Sequence, residues 1–156
     1  MTFPAIPLKA GNPCAEAPCS ACCHETEMLL TEADVARLSK AAPGVDFWFQ
    51  ADDGFLQLDN RAEPFSPPAV GAPDATQRPC VFLGRDGRCT VWNDRPEGCR
   101  LYPAVWDEEL GLSSLDAEHC PHTSAFRLNG ATAEAVRQLV AKLTMERAAR
   151  NGQMAP

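Results

Sequence analysis

The residues in this sequence best suited to chemistry are its cysteines, of which there are eight in 156 residues. A first set lies near the N-terminus and consists of Cys14, Cys19, Cys22 and Cys23. Because two residues separate Cys19 from Cys22, a tight turn can aim both sulfurs at one metal ion about 2.3 Å away. This first set therefore predicts a metal site.

A second set of cysteines is spread along the rest of the chain, at Cys80, Cys89, Cys99 and Cys120. Since a closed metal site needs four ligands, we expect the fold to bring the two sets together. An even number of cysteines also suits disulfide bonds. We favour metal ligation because we find no targeting segment, which predicts a cytoplasmic protein, and thiols stay reduced in the cytoplasm.

Because Cys22 and Cys23 are adjacent, the sequence does not identify which metal is bound. Because consecutive side chains diverge, one of the two serves a different ion, bridges two ions or remains a thiol. Eight cysteines are enough for two four-sulfur zinc sites, or for one four-iron cluster with thiols to spare. The expected cofactor is therefore either Zn²⁺ or iron, the latter including an iron–sulfur cluster.

All three histidines lie within two residues of a cysteine, at His24, His119 and His122. Imidazole replaces thiolate at zinc sites and in Rieske-type iron centres. We therefore predict that His24 and His119 are spare ligands.

Two arginines frame Cys99. Pro96 is placed to begin a short helical turn that carries Cys99 and Arg100, and Arg95 comes just before it. Four thiolates around Zn²⁺ leave an excess of negative charge, which nearby cations offset. Charges and hydrogen bonds near the sulfurs also tune metal affinity and cluster potential. Arg95 and Arg100 are therefore predicted to support the bound cofactor.

The composition narrows the class of partner. The formal net charge of −7 argues against nucleic acid or anionic lipid, and no stretch approaches the length of a membrane span. A chain of this length suits one domain that buries roughly 68–70 % of its unfolded surface. We expect a metal ion as the main partner, a protein or peptide as a further partner, and neither nucleic acid nor a membrane.

Two segments have helical patterns. Residues 31–42 begin with Thr31 as a capping residue, and Asp34 is its reciprocal partner three positions on. Residues 132–150 carry an apolar stripe, with Thr132 as the expected cap. The members of this stripe are Val136, Leu139, Val140 and Leu143.

Short β-segments account for much of the remainder. Residues 55–58 are predicted to form a strand. The apolar runs 80–83 and 89–92 flank an Asp-Gly step typical of a hairpin turn, and residues 104–106 and 110–115 suggest a second hairpin.

These elements predict one α+β domain over residues 1–156. We expect an extended arm at 1–13, a metal-binding core at 14–121 and a C-terminal helix at 131–150. The core would combine a small antiparallel sheet, a few helices and long loops gathered around a cysteine-ligated metal site.

The cysteines also lie within longer motifs that form an ordered set. The first set is followed by CVFL at 80–83, GRCTVW at 87–92 and RPEGCRLYP at 95–103. In this order, over about residues 14–121, they resemble the bacterial CxxCxxCC cysteine-cluster proteins, a family described as zinc- or iron-chelating. The resemblance implies metal binding by these cysteines. The first gap of that family is two residues, whereas four residues separate Cys14 from Cys19.

The function expected from the sequence is metal binding in a structural, metal-handling or accessory role. The chain has no glycine-rich phosphate loop, no His-Glu-x-x-His motif and no serine nucleophile elbow, so whether it is an enzyme stays open. Two alternatives remain. The first is an iron-dependent enzyme or accessory protein that modifies a peptide or protein, and the second is a thiol redox sensor that uses Cys22 or Cys23.

The wide first gap gives a direct prediction about Cys14. Either Cys14 reaches the metal through a wider loop or it is no longer a ligand, so we expect Cys14→Ser to lose less bound metal than Cys19→Ser. Elemental analysis of both purified variants measures the difference. Equal metal loss in the two variants would show that Cys14 is a ligand despite its spacing.

Overall fold

The computed structural model describes residues 21–24, 26–63, 77–118, 120 and 123–152. Over these residues the chain forms three α-helices and two small antiparallel sheets, which confirms the α+β prediction. The helices are α1 (Glu32–Ala41), α2 (Glu97–Leu101) and α3 (Gly130–Arg150). The strands are β1 (Leu29–Leu30), β2 (Trp48–Gln50), β3 (Leu56–Leu58), β4 (Ala104–Asp107) and β5 (Leu112–Leu115).

The first sheet has the strand order β1-β3-β2. Both pairings are antiparallel, with Leu30 opposite Leu56 and Phe49 opposite Gln57. In β3, Leu56 and Leu58 are buried and Gln57 between them is not, which is the alternation expected of a strand with one face on the core. The strand predicted at 55–58 is therefore confirmed.

Helix α1 begins with the predicted capping box. The Thr31 side chain accepts a hydrogen bond from the Asp34 amide, and the Asp34 carboxylate accepts one from the Thr31 amide. Leu38 is fully buried on the inner side of the helix. The chain then turns at Gly44, whose φ of +80° lies in the region that favours glycine.

The second sheet is the hairpin of β4 and β5, as predicted from the sequence. Helix α3 packs against both strands and against α2. The helix starts at Gly130, and its N-cap is Asn129, whose side chain accepts a hydrogen bond from the Thr132 amide. The prediction of Thr132 as the cap is therefore wrong: Asn129 is also a strong capping residue and lies one residue before the helix starts.

The segment around Asp86-Gly87 forms the predicted turn but not a two-stranded ladder. Gly84 and Arg88 are joined by a backbone hydrogen bond across the turn, and Leu83 bridges to Cys89. Cys80 bridges instead to Asn60. The apolar runs on either side therefore lie in irregular turns that are fastened to the first sheet.

The buried apolar side chains form two clusters. The first lies under the first sheet and α1, and its buried members are Leu30, Leu38, Phe47, Leu56, Leu58, Cys80, Phe82, Leu83 and Val91. The second lies between the β4–β5 hairpin and α3, and its members are Leu101, Ala104, Cys120, Phe126 and Val136. Cys80 belongs to the first cluster and Cys120 to the second, so each packed region contains a thiol. Within the described ranges, no helix is both long and apolar enough to cross a membrane.

The C-terminal end of α3 is fixed to the turn between β2 and β3. Gly54 has a φ of +91°, and a Cβ built there would lie 2.6 Å from Nδ2 of Asn151. The Arg150 guanidinium donates to the Gly54 carbonyl at 3.0 Å. The Asn151 side chain therefore occupies the space that a side chain at residue 54 would need.

This contact predicts that Gly54→Ala is more damaging than Gly111→Ala. Gly111 also has a positive φ, of +64°, but nothing lies within 4 Å of its virtual Cβ. Alanine at either position costs about 1–2 kcal/mol from the backbone conformation alone. Gly54→Ala also forces the exposed Asn151 side chain to rotate away, which adds a smaller cost of about 0.5–1.5 kcal/mol. Urea unfolding of both variants measures the two losses.

The matched control is the double variant Gly54→Ala with Asn151→Ala, in which the clash is removed and the additional loss should disappear. Equal losses in the two single variants would show that the Gly54–Asn151 contact does not constrain the fold.

Candidate metal centre

The six described cysteines come from segments that are far apart in the sequence, and each of the six carries a thiol rather than a disulfide. Cys22 and Cys23 lie in a 3₁₀ helix at Ala21–Cys23, and Cys99 lies in α2. The positions predicted at Cys14, Cys19, His119 and His122 lie outside the described residues. Cys80 and Cys120 are buried, Cys23, Cys89 and Cys99 are half-buried, and Cys22 is exposed.

Four of these thiols share one electrostatic neighbourhood, formed by Cys22, Cys80, Cys89 and Cys99. Burial is the largest cause that raises the pKa of Cys80, to about 12, and it also raises the pKa values of Cys89 and Cys99. The negative charges of the other thiolates act in the same direction, and every pairing among the four contributes. The structure thus brings Cys22 of the first set close to three members of the second set.

The four thiols are close to one another, but they do not surround a common metal position. In the portion of the chain that the structure describes, no three side chains of His, Cys, Asp or Glu stand close enough to hold one metal ion. Ligation by these four sulfurs therefore requires them to draw closer together.

Two of the thiols occupy the same kind of turn. The Phe82 amide donates to Sγ of Cys80 at 3.4 Å, and the Val91 amide donates to the sulfur of Cys89. In both cases the donor lies two residues after the cysteine, and it lowers the thiol pKa against the larger effect of burial. Because such hydrogen bonds favour the thiolate, both turns suit a sulfur that ligates a metal.

These two turns are held against each other by backbone contacts. The Phe82 carbonyl accepts hydrogen bonds from the amide and the hydroxyl of Thr90, each at 2.8 Å. The Cys80 amide donates to the Cys23 carbonyl, which places the first cysteine set beside this pair of turns.

Cys22 and Cys23 have opposite electrostatic roles. The Cys23 thiol donates a hydrogen bond to the Cys22 sulfur, which lowers the pKa of Cys22. The same bond, followed by burial and the charges of Cys22, Cys80 and Cys99, raises the pKa of Cys23 well above its usual value. The adjacent pair therefore consists of one thiolate-prone sulfur and one thiol that donates to it.

Arg95 is a cation that acts on this neighbourhood. Its charge lowers the pKa values of Cys22, Cys89 and Cys99. The guanidinium lies 3.6 Å from the centre of the Trp92 ring, and Nε donates to the Trp92 carbonyl at 2.8 Å. Both contacts fix the side chain in place.

Arg100 contacts the backbone just before α2. Its guanidinium donates to the backbone carbonyls of Asn93 and Arg95. These bonds hold the segment that carries Arg95. Pro96 lies one residue before α2 rather than at its first position.

Cys120 and His24 lie at the margins of the neighbourhood. His24 is buried and bridges to Pro79, next to Cys80. The Cys120 amide donates to the Asp116 carbonyl, and the Asp116 carboxylate accepts a hydrogen bond from the Tyr102 hydroxyl at 2.8 Å. Burial and this bond raise the pKa of Tyr102, and the charges of Cys22 and Cys120 add to the effect. Tyr102 is therefore within electrostatic range of both Cys22 and Cys120.

Asp34 and Arg37 position α2, and sequence reasoning did not identify this role. Asp34 is fully buried, and its Oδ1 accepts hydrogen bonds from the Arg37 guanidinium at 2.7 Å and from the Glu97 amide at 3.1 Å. Arg37 also donates to the Arg95 carbonyl at 2.8 Å. The sequence signalled only the capping role of Asp34, because its bond to Glu97 joins residues 63 positions apart.

This arrangement predicts that Asp34→Asn destabilises the protein more than Thr31→Ala. Removing the Thr31 hydroxyl deletes one cap, at a cost of about 1 kcal/mol. Asparagine at position 34 removes the buried negative charge that accepts from Arg37 and from the amides of Thr31 and Glu97, at a cost of about 3 kcal/mol. Urea unfolding measures both losses, and equal losses would show that Asp34 serves only the cap.

One comparison with known proteins supports metal binding by these cysteines. No curated protein and no solved structure matches the chain. The sequence model of one family, described as CxxCxxCC, "putative zinc- or iron-chelating domain", matches residues 13–121. This match includes all eight cysteines and covers well over half of the chain. The chain therefore belongs to the CxxCxxCC family of zinc- or iron-chelating domains.

Proposed function

We propose that this protein binds zinc or iron through its cysteine cluster, with Cys22, Cys80, Cys89 and Cys99 as central ligands. Its role is structural or concerned with metal handling, in the reducing cytoplasm. Membership of a zinc- or iron-chelating family supports metal binding in general. The choice of these four ligands rests on one observation: within the group, the negative charge of one thiolate raises the pKa of its neighbours.

The chemistry of the donor set fits a divalent metal or an iron–sulfur cluster. A metal binds thiolates, so it must displace the protons that burial and mutual repulsion hold on Cys80, Cys89 and Cys99. The amide donors of Phe82 and Val91 and the charge of Arg95 favour the deprotonated sulfurs. When it is bound, the metal supplies the positive charge that this group of thiols lacks.

The remaining cysteines and two histidines supplement the central ligands in this proposal. Cys23 donates to the Cys22 sulfur, and we place it beside the metal rather than on it. Cys14, Cys19, Cys120, His24 and His119 are the further candidate ligands. Arg95 offsets the thiolate charge directly, whereas Arg100 acts through the backbone of the Arg95 segment.

We also propose that residues 1–156 form one domain. Helix α3 supports this arrangement because its two ends contact different parts of the fold. Near its start it packs on the β4–β5 hairpin, where Ser113 donates to the Ala133 carbonyl at 2.8 Å. Near its end, Arg150 and Glu146 bind to Glu32 at the start of α1.

The metal is identified by purifying the protein without oxygen. We would record the visible spectrum and measure zinc, iron and acid-labile sulfide. A colourless protein with bound zinc supports a structural or metal-handling role. Broad visible absorbance with iron and sulfide indicates a cluster and moves the function toward electron transfer or an iron-dependent modification. A protein with neither metal contradicts the proposal.

The ligand assignment predicts that Cys89→Ser and Cys99→Ser each lose most of the bound metal. Serine removes one thiolate from the central four while it preserves the size of the side chain. Cys23→Ser is the matched control, because it changes a cysteine in the same neighbourhood that we place outside the ligand set. Metal content is measured per folded monomer after size-exclusion chromatography.

Two results would overturn the assignment. If Cys23→Ser loses as much metal as Cys89→Ser, the division between ligand and donor is wrong. If Cys89→Ser and Cys99→Ser both keep their full metal content and thermal stability, the site lies elsewhere.

A further inference from the structure

Strand β2 is one of the two edge strands of the first sheet. It pairs with β3 on one side, in the order β1-β3-β2. Among the described residues, no other strand pairs with its outer side. An edge of this kind presents backbone donors and acceptors that a further strand can use.

The register shows which backbone groups face outward. The Asp59 amide donates to the Phe47 carbonyl, and the Ala51 amide donates to the Phe55 carbonyl. Since hydrogen-bonded pairs alternate along an antiparallel ladder, Phe49 is likewise bonded to Gln57. The backbone groups of Trp48 and Gln50 therefore point away from β3, toward the open edge.

The same strand exposes an unusual amount of apolar surface. Trp48 is 42 % exposed and Phe49 is 41 % exposed, and Val45 beside them is also exposed. Because successive side chains of a strand point to opposite faces, the two aromatic rings leave apolar surface on both faces of the edge. Such an edge is a site for pairing with another chain unless something covers it.

The residues that flank this edge are acidic. Asp46 precedes β2, and Asp52 and Asp53 follow it, all three in exposed positions. Two arginines reach the adjoining turn, but Arg147 lies over the Phe55 ring and Arg150 binds the Gly54 carbonyl and Glu32. The carboxylates at both ends of the edge therefore favour a basic partner.

We propose that β2 docks an extended, basic peptide segment of a partner protein, which adds as a fourth strand beside Trp48 and Gln50. Main-chain hydrogen bonds to these two residues supply the affinity, as in other complexes formed by strand addition. Apolar side chains of the segment cover the two aromatic rings, and its lysines or arginines face Asp46, Asp52 and Asp53. A second copy of this acidic chain is disfavoured, because pairing β2 with itself would bring the same carboxylates together.

The test uses the intact protein and a fluorescein-labelled peptide of alternating lysine and valine. Saturable binding is measured by fluorescence anisotropy, with an alternating glutamate and valine peptide as the comparison. Hydrogen exchange followed by NMR then locates the peptide. We expect the amides of Trp48 and Gln50 to gain protection, whereas the Phe49 amide, already bonded within the sheet, should not change.

A matched pair of charge variants separates docking from general electrostatic attraction. The first is Asp46→Asn with Asp52→Asn and Asp53→Asn. The second neutralises an equal charge at the β4–β5 turn, as Asp107→Asn with Glu108→Gln and Glu109→Gln. We expect the first variant to bind the lysine peptide at least about tenfold more weakly, and the second to bind as the unmodified protein does.

Four outcomes would overturn the proposal. These are the absence of saturable binding, tight binding of the glutamate peptide, equal weakening in the two charge variants, and protection at amides outside β2. Protection of Trp48 and Gln50 that rises with protein concentration alone would assign the edge to a second copy instead. None of these readouts depends on bound metal, so the result is independent of the proposed function.

Discussion

The buried carboxylate of Asp34 is the interaction on which the arrangement of the thiols depends. It accepts hydrogen bonds from the amides of Thr31 and Glu97 and from the Arg37 guanidinium. A fully buried carboxylate is tolerated only when charge and hydrogen bonds compensate it, so these partners cannot separate without a large cost. The start of α1 is thereby tied to the start of α2, which carries Cys99. Arg37 extends the same connection to the carbonyl of Arg95.

Most of the thiol neighbourhood that results is uncharged at neutral pH when no metal is bound. Burial and mutual repulsion raise the pKa values of Cys80, Cys89 and Cys99, so these sulfurs keep their protons at neutral pH. Arg95 and the amides of Phe82 and Val91 act in the opposite direction. A metal ion must displace these protons, and its positive charge then offsets the repulsion among the thiolates that form. Because metal binding releases protons from these thiols, the metal affinity depends on pH.

The parts of this fold that depend on residues close together in the sequence could be predicted. The parts that depend on contacts between distant segments could not. The capping box of Thr31 and Asp34 spans three residues, and the hairpin of β4 and β5 has a short turn, so both could be predicted from the sequence. The cap at Asn129 was missed because Thr132 also suits a cap. The bond from Glu97 to Asp34 and the grouping of Cys22 with Cys80, Cys89 and Cys99 join distant segments. The cysteine spacing identified the chemistry, whereas only the fold shows which sulfurs are neighbours.

Strand β3 connects the thiols with the open edge of the sheet. Its Leu58 amide donates to the Met28 carbonyl on the side of β1, whereas its alternate residues bond to β2. Beyond β3, the Asp59 carbonyl accepts from the Val81 amide, and Asn60 bridges to Cys80. One continuous stretch of backbone therefore contacts both β2 and the turn that holds Cys80. If a partner at β2 changes the metal affinity by moving this stretch, linkage requires that the bound metal change the affinity for the partner by the same factor.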